Sequence, residues 1–96
     1  MKKKCSLIDL SAARDTALLV INNLAFGFIR GAHGLRLRVL DLNVPHYIAY
    51  FYFDSGSEQF SCVHMDFVNN KRKSEMLDLV ERNSDLLLRG LQRLQQ

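Results

Sequence analysis

The chain has 96 residues, 48% of them hydrophobic and 24% charged, a size and composition that give one domain and exclude wholesale disorder. Its net charge of +3 falls short of the concentrated charge that identifies nucleic-acid binders. Its two cysteines, Cys5 and Cys62, are too few for a disulfide framework and lack metal-ligand spacing.

The N-terminal stretch MKKKCSLIDL opens with three lysines, as a secretory signal does, but Asp9, Arg14 and Asp15 break the apolar run such a signal needs. Residues 1–10 are read as a flexible basic segment of the single domain 1–96, and a cytoplasmic protein is expected. The longest apolar run, around ALLVINNLAFGFI, contains two asparagines and falls short of the ~20 residues that cross a bilayer, so no membrane contact is expected.

From Ser11 to about Arg30, apolar Ala17, Val20, Ile21, Leu24 and Phe28 recur at helical spacing, with Ser11 as a plausible cap. A second apolar line, Leu18, Leu19, Phe26 and Ile29, predicts a helix buried on more than one side. RGAHG, residues 30–34, then supplies the glycines that stop helices. Three strand-like runs follow: LRLRVLD (35–41), the aromatic HYIAYFYFD (46–54) and FSCVHMDF (60–67), joined by LNVP and SGSEQ. Residues 71–96 place Leu77, Val80, Ser84, Leu87, Leu91 and Leu94 on one stripe and predict a single amphipathic helix capped by Ser74 or Asn70. The predicted order is therefore α-β-β-β-α, an α+β domain with two helices on one face of a three-stranded antiparallel meander.

Strand parity sorts the side chains of that sheet. Leu35, Leu37 and Val39, then Tyr47, Ala49, Phe51 and Phe53, then Val63, Met65 and Phe67 would lie under the helices, since burying each large side chain contributes about 1.5–3 kcal/mol. The opposite face would carry Arg36, Arg38 and Leu40, then His46, Ile48, Tyr50 and Tyr52, then Cys62, His64 and Asp66. Hairpins centred on Asn43 and Ser57 would align Arg36 with Tyr50 and His64, and Arg38 with Ile48 and Asp66. Tyrosine and arginine are enriched at recognition hot spots, so Arg36, Arg38, Tyr50, Tyr52, His64 and Asp66 are the predicted partner-binding residues. The same face could join two copies of the chain. The plain alternative is a solvated sheet face, which antiparallel sheets commonly have.

No catalytic signature is present. Cys62 and His64 share a predicted face, but zinc needs three or four convergent ligands and His46 belongs near the far end of its strand, so neither a metal site nor a cofactor is expected. A Cys62–His64 nucleophile pair would sit about 7 Å apart with nothing placed to activate the thiol. His64 beside Asp66 and Tyr50 has the parts of an oriented base, and equally those of an ordinary surface histidine. The glycines of FGFIRGAHG do not match a phosphate loop. For nucleic acid the candidates are Lys71, Arg72 and Lys73, because α-β-β-β-α is also the order of the double-stranded-RNA-binding domain, where a basic cluster at the last helix grips phosphates. The acidic residues that follow, Glu75, Asp78, Glu81 and Asp85, would oppose such binding.

The stretch INNLAFGFIRGAHGLRLRVLDLNVPHYIAYFYFD, residues 21–54, reads as a helix end, a glycine turn, an alternating strand and a strand closing in FYFD. In that pattern it is similar to small bacterial immunity proteins of toxin–immunity pairs, including those of contact-dependent growth inhibition. The resemblance implies a cytosolic, non-enzymatic inhibitor that binds a cognate toxin domain. Immunity proteins to nucleases are often acidic; this basic chain would meet such a target only through patches such as Glu75, Asp78, Glu81 and Asp85.

Overall fold

A computed structural model of the chain describes residues 17–32, 34–44, 48–66 and 69–95. The expected segment 1–10, the cap Ser11, and His33, His46, Tyr47 and Phe67 lie outside the described residues. Among the described residues five strands come first: β1 (Leu19–Ile21), β2 (Leu24–Gly31), β3 (Gly34–Asp41), β4 (Ile48–Asp54) and β5 (Gln59–Met65). Two helices follow, α1 (Asn70–Arg82) and α2 (Ser84–Gln95). All neighbouring strands pair antiparallel in the order β1-β2-β3-β4-β5, so the α+β class holds while the three-stranded α-β-β-β-α arrangement is overturned.

The largest correction concerns residues 19–30, expected as a helix and folded as a hairpin. Asn22 and Asn23 both take left-handed backbone angles, φ 52° and 61°, between the paired ends Ile21 and Leu24. Two such residues in succession make the tight turn whose twist matches that of the flanking strands, and asparagine tolerates the conformation better than most residues. Val20, Ile21, Phe26, Phe28 and Ile29 suit a pleated surface, whereas Gly27 would have weakened a helix interior by about 1 kcal/mol. RGAHG is accordingly no helix stop: Gly31 pairs with Gly34, whose φ of 103° closes the β2–β3 hairpin.

The C-terminal segment is also two elements instead of one. Asn69 caps α1 by accepting a hydrogen bond from the Arg72 backbone N–H at 2.8 Å, the role expected of Asn70 or Ser74. Asn83 ends the helix: its side-chain amide donates to the Leu79 carbonyl at 2.8 Å, while its own carbonyl accepts from Leu87 N–H at 2.9 Å. Ser84 thus opens α2 and is no part of a continuous stripe.

The core lies between the sheet and these helices. Leu24, Phe26, Leu37, Val39, Ala49 and Phe51 meet Met76 and Val80 of α1 and Leu87 of α2. Gly90 lets α2 approach β2 and the residue before β1, because a Cβ there would meet Leu18 Cδ2 at 2.7 Å and Phe28 Cε2 at 3.4 Å. A smaller cluster sits on the other face, where Ala25 and Leu40 are buried with Val20, Leu42, Ile48 and Ala17 around them.

The turn gives a direct test of the hairpin. Replacing Asn23 by Gly or by Val removes the same 3.1 Å side-chain bond to Asn43, so any difference between the variants reports the backbone. Asn23→Val should unfold at lower urea than Asn23→Gly by about 1–2 kcal/mol, the penalty for a side chain with a β-carbon in the left-handed region. Residues in a helix would show the opposite order.

Candidate recognition face

The two faces of the sheet differ in chemistry because the register keeps like with like. On the face away from the helices, Arg38 of β3 is opposite Tyr50 of β4, and Tyr50 is opposite His64 of β5. The expected row thus holds for Tyr50 and His64, but Arg38 stands where Arg36 was expected. The β3–β4 pairing is displaced by two residues from a hairpin centred on Asn43, and centres on Val44 instead. Arg36 instead extends beside Tyr52, with its guanidinium carbon 5.7 Å from the ring centroid, within cation–π range.

The Tyr50 and His64 rings lie 6.3 Å apart, tilted by 37°. His64 Nε2 is 2.9 Å from Asp66 Oδ1, and the two side chains are 58% and 41% exposed, so the contact orients the imidazole while adding little stability, about 0–1 kcal/mol. Asp66 N–H also donates to the Ile48 carbonyl at 3.0 Å, which places it next to Ile48. All six predicted partner-binding residues lie at this side of the molecule. Arg36 and Arg38 are half-buried, and neither forms an ion pair among the described residues.

A β-bulge in β5 changes what stands beside them. Phe51 pairs with Cys62 and Tyr50 with His64, so Val63 is an extra residue without a partner and is half exposed. Beyond the bulge, Cys62 opposes a core residue. It lines a cavity of about 430 Å³ with Phe51, Phe60, Leu77, Val80 and Glu81, on the helix side of the sheet. The expected placement of Cys62 on the open face is reversed, and Val63, expected under the helices, is half exposed instead. The Cys62 thiol donates to the His64 carbonyl at 3.6 Å and does not meet the imidazole, and no group of three metal-binding side chains exists among the described residues.

The basic cluster of α1 is divided as well. Lys71 and Lys73 are exposed, but Arg72 is only 16% exposed and its guanidinium is engaged. Its Nε donates to Asp41 Oδ2 at 2.9 Å and Nη2 to Asp41 Oδ1 at 3.0 Å, a bidentate pair with a carboxylate at the end of β3. Nη1 donates to Glu75 Oε1 at 2.8 Å, and Nη2 also reaches the Asn22 carbonyl at 2.9 Å. The Asn22 side-chain amide returns a bond to Glu75 Oε2 at 2.9 Å. Sequence reasoning missed this bracket, since Asp41 looked like the polar end of a strand and Asn22 like the polar face of a helix.

Charge follows from that geometry. Burial opposes the ionisation of Asp41, but the bond from Arg72, backbone N–H donors from Asn43 and Val44, and the nearby guanidinium outweigh it and hold the carboxyl below its ordinary value. The Arg72 bond, against slight desolvation, likewise keeps Glu75 low. Asp41 in turn drives the Arg72 pKa upward against the cost of burial, with Glu75 adding to the effect. In the acidic patch, Asp78 pairs with Arg82 at 3.0 Å, while Glu81 and Asp85 are exposed. No described helix is long and apolar enough to cross a membrane. Comparisons with family models, curated proteins and solved structures return no match for this chain.

Breaking one side of the bracket leaves the other charge buried and unpaired. Arg72→Met should therefore cost about 3–5 kcal/mol in a denaturant titration, and Asp41→Leu made in the same chain should recover about half of the loss. Because the folded-state values of Asp41 and Glu75 are depressed, their stabilisation is present in full above the ordinary carboxylate range near 4 and is lost as pH falls through the folded values. Chemical denaturation between about pH 6 and pH 2 should show this fall, and Asp41→Asn should flatten it.

Proposed function

We propose that this chain is a non-enzymatic protein-binding domain whose contact surface is the open sheet face around Arg38, Tyr50 and His64. The observation that carries the reading is a pair of half-buried arginines, Arg36 and Arg38, beside Tyr50 and Tyr52 on a rigid sheet, with no carboxylate paired to either arginine among the described residues. A partly desolvated guanidinium gains most from a partner that brings an acceptor to it, and a strand-borne tyrosine loses little entropy on contact. Neutralisation of a bacterial toxin domain in the cytosol is the form of binding that the resemblance to immunity proteins implies. The helix end in that resemblance is a strand, so the proposal rests on the sheet face first.

RNA binding is the second reading, carried by the exposed Lys71 and Lys73 at the start of α1. It has less support than the sequence offered, because Arg72 is held by two carboxylates and the element order is not that of the double-stranded-RNA-binding domain.

Growth protection separates the readings. Co-expressed with a toxin domain encoded beside its gene, the intact protein should restore growth. Tyr50→Ala should weaken the purified complex by about 2 kcal/mol or more while leaving the thermal midpoint nearly unchanged. Unchanged affinity in Tyr50→Ala and in Arg38→Glu would reject this face. Sub-micromolar affinity for RNA at physiological salt, falling with a salt slope reduced by about one for each of Lys71 and Lys73 removed, would instead establish the second reading.

A further inference from the structure

At the edge of the open face the sheet ends in a cavity of about 500 Å³, between the β2–β3 turn and the last turns of α2. Its lining is mixed, with Leu35, Phe53, Leu88 and Leu91 supplying the apolar part. Arg36 and Tyr52 line it from the sheet, Gln92 and Gln95 from the helix. Among its described lining residues there is no carboxylate. Arg36 is the single cation among the described lining residues, held near the Tyr52 ring and without an anionic partner among the described residues.

We propose that this cavity is the anchor point of the protein partner, and that it takes an apolar side chain carrying a carboxylate next to it, as a chain end or a neighbouring acidic residue would. The inference rests on the reading of the sheet face as protein-binding and adds the chemistry of the group it selects. A carboxylate offers the guanidinium fork two acceptors, and the apolar body packs against Leu35, Phe53, Leu88 and Leu91. An ammonium at the same place would face Arg36 with like charge. The cavity beside Cys62 has the opposite character, with Glu58 and Glu81 in its lining, so it serves as an internal control.

The minimal probe is N-acetyl-leucine, with N-acetyl-leucinamide as its uncharged counterpart, titrated into the 15N-labelled intact protein. Saturable amide shifts should concentrate at Leu35, Arg36, Phe53 and Leu88, and the carboxylate should bind roughly tenfold more tightly than the amide, as expected for a charge-assisted hydrogen bond. Arg36→Gln, with its dispersed spectrum retained, should reduce carboxylate binding to the level of the amide. Equal affinity of acid and amide for the native protein, no saturable shift, or shifts centred on the Cys62 cavity would each overturn the anchor. Loss of partner binding in Tyr50→Ala with a silent cavity would remove the anchor and keep the face. A cavity that binds the acid while Tyr50→Ala and Arg38→Glu leave the complex intact would do the reverse.

Discussion

Arg72 is the point at which three separate parts of the chain are joined. Its guanidinium reaches the end of β3 through Asp41, the β1–β2 turn through the Asn22 carbonyl, and its own helix through Glu75. Apolar burial alone would press α1 against the sheet without fixing where along it the helix begins, since hydrophobic attraction has no direction. The bidentate bond to a carboxylate only 2% exposed supplies that direction. Registry is the best-attested use of a buried ion pair, and here it sets the start of α1 against one end of the sheet.

Two consequences follow for the rest of the molecule. With α1 fixed at its start and turned at Asn83, Met76, Val80, Leu87 and Leu91 all close over the face that carries Phe26, Leu37, Val39 and Phe51. The second consequence is on the far side, where the strands present arginine, tyrosine and histidine with no described helix above them. The bulge at Val63 sharpens the contrast, because it gives Cys62 to the helix side and His64 to the open side. A sheet with one face consumed by packing and the other rich in aromatic and cationic groups is a surface prepared for contact before any partner arrives.

Much of the second half of the sheet was legible in the sequence. The alternation in LRLRVLD and YIAYFYFD depends on a period of two, and the buried Leu37, Val39, Ala49 and Phe51 and the outward Arg38, Tyr50 and Tyr52 follow it. Residues 19–30 were misread because nearly every position there is apolar, on both faces, so that helical and strand periods match equally well. The deciding signal was Asn22-Asn23, a pair suited to a tight hairpin turn and easily mistaken for the polar positions of a helix. The bulge and the bracket were not legible for a different reason: each depends on residues far apart in the chain, Phe51 with Cys62 and Asp41 with Arg72, whose pairing no local pattern encodes. The same holds for the cavity beside Arg36, formed by residues of β3, β4 and α2 that are far apart in the chain.

The account stands on one face being closed by the helices while Tyr50, Tyr52 and His64 stay accessible on the other, and side-chain relaxation by a soluble gadolinium chelate measures that difference directly. The rings of Tyr50, Tyr52 and His64 should relax strongly with added chelate, while those of Phe26 and Phe51 should be nearly untouched. Comparable relaxation of the two sets, or protection of Tyr50 and His64 in the isolated protein, would contradict it.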